Sequence, residues 1–122
     1  MKVLLGIGGS DGSFEALADT VTRAEEAGDA VTVAIVDRED IARTPEEIET
    51  EVRERLAETG MDPEIRHLSG HPGSRLVELA EQEQFDRLVV AGGERSPLGK
   101  INFDETLEFV LLNAETTVTL VR

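Results

Sequence analysis

Two kinds of apolar pattern alternate along this chain. Val3-Leu4-Leu5-Gly6-Ile7 is a short unbroken run closed by Gly8-Gly9, which reads as a buried strand. Leu17, Val21 and Ala24 then recur at helical spacing among Glu15, Asp19, Arg23 and Glu25, and Gly28 ends that helix. Val31 to Val36 reads as a second buried strand. Thr44-Pro45-Glu46-Glu47 is a helix start: Thr44 caps, Pro45 suits the first turn, and Glu47 completes a capping box. Ile48, Val52 and Leu56 supply its inward stripe, with Gly60 as the stop.

Glu64-Ile65-Arg66-His67-Leu68 alternates, as expected of a strand at a sheet edge. Gly70-His71-Pro72-Gly73 turns into a helix carrying Leu76, Val77 and Ala80. Leu88-Val89-Val90-Ala91 is the most apolar strand and is placed centrally. A polar loop from Gly92 to Ile101 follows. A last helix is expected to start near Asn102, with Asn102 as its cap and Glu105 as capping-box partner. Thr116 to Arg122 reads as the final strand. Strands that alternate with helices imply an α/β fold, a mostly parallel sheet with helices on both faces. The 122 residues then form a single domain, 1–122.

Composition narrows the function. Acids number 26 and bases 12, a net charge of −14, which disfavours nucleic acid and anionic membrane as partners. No apolar run approaches the roughly 20 residues of a membrane span, and no signal segment follows Met1, so a cytoplasmic protein is expected. The absence of cysteine excludes disulfides, thiolate metal sites and cysteine catalysis. Lys2 and Lys100 are the only lysines beside ten arginines. So acidic a surface repels itself in dilute buffer and is relieved at molar salt, where the Debye length falls to about 3 Å. A halophilic protein is therefore expected.

In an open parallel sheet, ligands bind beyond the carboxyl ends of the strands where strand order reverses. Gly8-Gly9-Ser10 follows the first strand and Gly92-Gly93 the fourth, and such turns let a ligand reach backbone N–H groups at a helix start. With the end of the second strand and the polar loop, the candidate contacts are Gly8, Gly9, Ser10, Val36, Gly92, Gly93, Arg95, Ser96, Gly99 and Lys100. His67 and His71 straddle a strand end and a Pro-Gly turn, so they do not form a metal pair on one helix face. Ser10, Ser13, Ser74 and Ser96 lack a nucleophile-elbow setting, which removes hydrolase chemistry. Ser13 reads as a helix-start residue. A phosphoacceptor receiver domain is excluded because Leu68-Ser69-Gly70 offers no aspartate and the last strand no lysine.

Val3 to Ser10 resembles the opening strand and turn of the universal stress protein family. Gly70-x-Pro72, and the segment from Gly92 to the closing Val118-Thr119-Leu120-Val121-Arg122, are similar to that family too. The resemblance spans the whole chain, with a shorter segment between the second and third strands. It implies an open five-stranded parallel sheet in the order 3-2-1-4-5, a stress-response role without catalytic residues, and a homodimer through the C-terminal strand 116–122.

ATP-binding members of that family carry a glycine, two residues, a glycine, nine residues, then glycine with serine or threonine. Gly92 matches the first glycine. Counting forward puts Arg95 at the second and Glu105-Thr106 at the closing pair; counting back from the last strand puts that pair on Asp104-Glu105. Either way an acid stands beside the phosphate position, and Gly8 stands where the family usually has an aspartate. These departures predict no ATP cofactor and a regulatory or protective role toward an unidentified protein partner. The alternative is a nucleotide-binding stress sensor. Arg95 and Lys100 are expected to pair with the nearby acids.

Overall fold

The computed structural model describes residues 1–37, 42–92, 94–95, 101–102 and 105–121. Its main sheet contains β1 (Lys2–Ile7), β2 (Ala30–Val36), β3 (Glu64–Leu68) and β4 (Arg87–Ala91). Two short strands, β5 (Glu94–Arg95) and β6 (Ile101–Asn102), form a separate antiparallel ribbon, and β7 (Thr117–Val121) returns to the main sheet. The helices are α1 (Asp11–Ala27), α2 (Pro45–Leu56), α3 (Pro72–Gln82) and α4 (Glu105–Asn113). All pairings in the main sheet are parallel, in the order β3-β2-β1-β4-β7. Counted along the main sheet, this is the expected 3-2-1-4-5.

Alternation along the strands builds two cores from one sheet. Val3, Leu5, Ile7, Val31, Val33, Ile35 and Val89 point to the side covered by α1 and α2, where Leu17, Val21, Ile48 and Val52 meet them. Leu4, Ala34, Val36, Leu88 and Val90 point to the other side, against Leu76 and Ala80 of α3 and Leu107 and Val110 of α4. Both faces of β1, β2 and β4 are buried, which is why these strands read as unbroken apolar runs. Each large aliphatic side chain closed off in this way contributes about 1.5–3 kcal/mol.

Local signals set the helix ends. Thr44 Oγ1 accepts from Glu47 N at 3.2 Å and Glu47 Oε1 accepts from Thr44 N at 3.3 Å, the reciprocal capping box expected before Pro45. Gly28 closes α1 in the left-handed region at φ 74°, and its N–H donates to the Ala24 carbonyl. α2 stops earlier than expected, at Leu56.

Two expectations need correction. The segment after Gly92 is not wholly loop, because Glu94 pairs with Asn102 and Arg95 with Ile101. Asn102 is therefore a strand residue and does not cap the last helix, which begins at Glu105. As expected, β4 is internal, flanked by β1 and β7.

Candidate ligand crevice

Strand order reverses at β1, so the crevice opens between the carboxyl ends of β1 and β4. It is a cleft of about 20 Å³ whose walls include Gly8, Val36, Leu76, Val90, Thr106 and Leu107. About 10–15 Å³ of such space holds one water, whereas drug-sized ligands occupy pockets of roughly 300–1,000 Å³.

Several of the polar groups beside this cleft are engaged within the protein. Ser10 is the N-cap of α1, and its Oγ accepts from Ser13 N at 3.2 Å. Ser13, 3% exposed, turns its own hydroxyl inward: Gly8 N donates to Ser13 Oγ at 3.2 Å, and the two serine hydroxyls lie 3.1 Å apart. The Gly8 amide of the first glycine turn therefore goes to Ser13 and is not held out to an anion. On the β4 side, Gly92 N donates to the Val121 carbonyl at 3.1 Å. At the start of α4 stands Glu105, whose carboxylate suits the positive end of the helix dipole.

Of the sequence candidates, Gly8 and Val36 line the cleft directly. Gly9 and Ser10 form the turn into α1, with Gly9 at φ 92°. Gly92 lies beside the cleft and Arg95 lies in β5. Gly93, Ser96, Gly99 and Lys100 fall outside the described residues, as does Asp104. The expected pairing of Arg95 and Lys100 with nearby acids lies there too.

Ser13, Thr106, Leu107, Leu76 and Gly6 belong to the cleft but were not singled out as ligand contacts. Gly6 had a visible signal, a glycine inside an apolar strand. A Cβ there would sit 2.8 Å from Leu76 Cδ1, so that glycine admits the leucine that fills the cleft floor.

Both histidines have local structural partners. His67 Nε2 meets the Glu49 carboxylate, tying edge strand β3 to α2; this contact and Arg53 hold the Glu49 carboxyl below the usual range. His71 caps α3: its Nδ1 accepts from Ser74 N at 3.0 Å, which requires the proton on Nε2.

A sequence profile of the Universal stress protein family matches residues 1–122. A search of curated proteins gives no significant match. Among solved structures, the chain is similar to a universal stress protein crystallised in complex with cAMP. That match has 27% identity and a TM-score of 0.77, and covers 100% of this chain and 96% of the other. It is also similar in fold to a universal stress protein from Archaeoglobus fulgidus, at 23% identity and TM-score 0.74, covering 100% and 98%. A family protein from Arabidopsis thaliana with AMP bound matches at 19% identity and TM-score 0.68, covering 99% and 90%. No helix among the described residues is long and apolar enough to cross a membrane.

Proposed function

This chain belongs to the universal stress protein family, and we propose that it serves there as a non-catalytic regulatory or protective protein whose crevice does not take up ATP. One observation carries the reading: two of the amides beside the crevice are spent inside the protein. Gly8 N goes to Ser13 and Gly92 N to Val121, around a cleft of about 20 Å³. A triphosphate would have to displace those bonds and approach Glu105, the acid at the start of α4 where the family motif calls for glycine. The role is then exerted through a protein partner, and edge strand β7 offers a route to a homodimer.

Calorimetric titration with ATP in molar potassium chloride tests this. The expected result is no saturable heat, and a micromolar dissociation constant overturns the proposal. The double change Asp104→Gly with Glu105→Ser is expected to strengthen ATP binding. If it brings no gain, the acids are not the obstacle.

A second reading is favoured by the similarity to the cAMP complex. On that reading the chain is a sensor of a nucleotide with a single phosphate, which asks for fewer free amides. Titration with AMP and cAMP under the same conditions separates the two. Saturable binding of either, with none of ATP, selects the sensor.

A further inference from the structure

We infer that the outer face of α4 is the docking surface for the protein partner, and that the partner lays a basic amphipathic helix on it. This rests on the reading above that the chain acts through such a partner. Leu112 is 85% exposed and Leu111 44%; apart from Met1, these are the large apolar side chains left open to solvent among the described residues. A single exposed leucine is ordinary on a protein surface. Two adjacent ones on a helix without a basic residue are not. Of the four described helices, α4 alone has no Lys or Arg, whereas α1 carries Arg23, α2 Arg53 and Arg55, and α3 Arg75.

The spacing makes a stripe. Glu105, Glu108 and Leu112 fall at i, i+3 and i+7, so they share one side of α4, and Leu111 stands three residues after Glu108. The core side of the same helix is closed, with Leu107 2% and Val110 0% exposed. On each of the other helices at least one acid holds an arginine: Asp19 with Arg23, Glu49 with Arg53, Glu51 with Arg55, Glu78 with Arg75. Glu105 and Glu108 form no ion pair among the described residues. Like charges three apart repel one another, and a cation laid along the stripe relieves both.

Charge therefore selects the occupant. An α4–α4 contact between two copies would set the same glutamates against each other, whereas Lys or Arg of a partner complements them. The stripe is about two turns long, the length over which an amphipathic helix places anchors at i, i+3 and i+7. One apolar residue of that helix covers Leu112, and its bases lie a turn away over Glu108 and Glu105.

The test titrates the full chain, labelled with nitrogen-15, with a synthetic alanine-based helical peptide that carries leucine on one stripe and arginine a turn to either side. A twin peptide carries glutamate in place of arginine. Potassium chloride is varied over the range in which the chain stays folded. The arginine peptide is expected to bind saturably, with amide shifts concentrated at Glu105–Asn113, and to weaken toward molar salt, where the Debye length is about 3 Å. The glutamate twin is expected not to saturate. Leu112→Ser should weaken binding about tenfold. Glu108→Gln should weaken it several-fold and flatten the salt dependence. Glu54→Gln, the same charge change at an exposed position of α2, should leave it unchanged, which separates a docking face from the general pull of a chain with net charge −14.

The inference is overturned if the shifts spread over the whole surface, if the twin binds as well, or if Leu112→Ser binds like the parent. It is also overturned if Glu54→Gln weakens binding as much as Glu108→Gln. A parent that ignores the peptide but self-associates through Leu112 overturns it too, because the occupant is then a second copy. If Leu112→Ser does not fold, the shift map of the parent and the comparison with the twin decide. The ATP titration judges the earlier reading separately: a chain that binds ATP loses that reading whatever the peptide does, and one that binds neither loses only this inference.

Discussion

Replacing Gly92 by alanine distinguishes two reasons for a glycine at the end of β4. A Cβ built there lies 2.4 Å from Leu107 Cδ2 and 3.4 Å from Leu120 Cδ1, against an optimal carbon–carbon separation of about 3.5–4.0 Å. Leu107 is 2% exposed and packed in the α3–α4 core, so it has to change rotamer or push α4 outward. Overpacking of this kind costs about 1–3 kcal/mol, offset by about 0.4–1 kcal/mol for the loss of glycine freedom in the unfolded chain. A net loss of about 1–2 kcal/mol is therefore expected, read from urea unfolding in molar salt. Leu107→Ala alone should cost about 2–5 kcal/mol by leaving a cavity. In that background Gly92→Ala should become neutral or mildly stabilising, a coupling within the roughly 0.5–3 kcal/mol seen for touching residues. If Gly92→Ala is neutral in the parent, or costs the same with and without Leu107, the glycine is not there to admit the leucine. The steric account of this position would then fail.

Two further outcomes follow from charge and from the sheet edge. With a net charge of −14 and only two lysines, the midpoint of thermal unfolding should rise continuously from dilute buffer to molar salt, and a flat midpoint refutes the halophilic assignment. β7 is hydrogen-bonded to β4 on one side and ends the sheet order, so antiparallel pairing with a second copy would satisfy its outer row of backbone groups. Light scattering at high salt should give twice 13.3 kDa, and Thr119→Pro should return one chain mass; a monomeric parent ends the dimer proposal.

The fold was legible in the sequence because its signals are local or periodic. Gly28 and the Thr44–Glu47 box act on their own helix ends, and both behave as their spacing says. The runs at Val3–Ile7 and Leu88–Ala91 announce strands covered on both faces. The ribbon of β5 and β6 escaped for the opposite reason. Two residues per strand carry no period, and Asn102 with Glu105 has the spacing of a cap although the Asn102 backbone is committed to Glu94. Spacing reports what a pair of residues can do, and a competing ladder decides whether they do it.

The crevice was half legible, and the missing half decides its chemistry. Glycines at the ends of β1 and β4 mark the end of the sheet where the cleft lies, because only the topology is needed for that. Whether those glycines face a ligand depends on who else reaches them. Gly8 is met by Ser13, five residues away, and that contact has a sequence trace in the serine pair Ser10 and Ser13. Gly92 is met by Leu107 and Val121, 15 and 29 residues further on, through a helix whose start was itself misplaced. A phosphate-binding turn and a packing turn are thus the same letters. In this chain Leu107 packs against Gly92, which is why the Gly92 and Leu107 pair, and not either residue alone, is the place to test the reading.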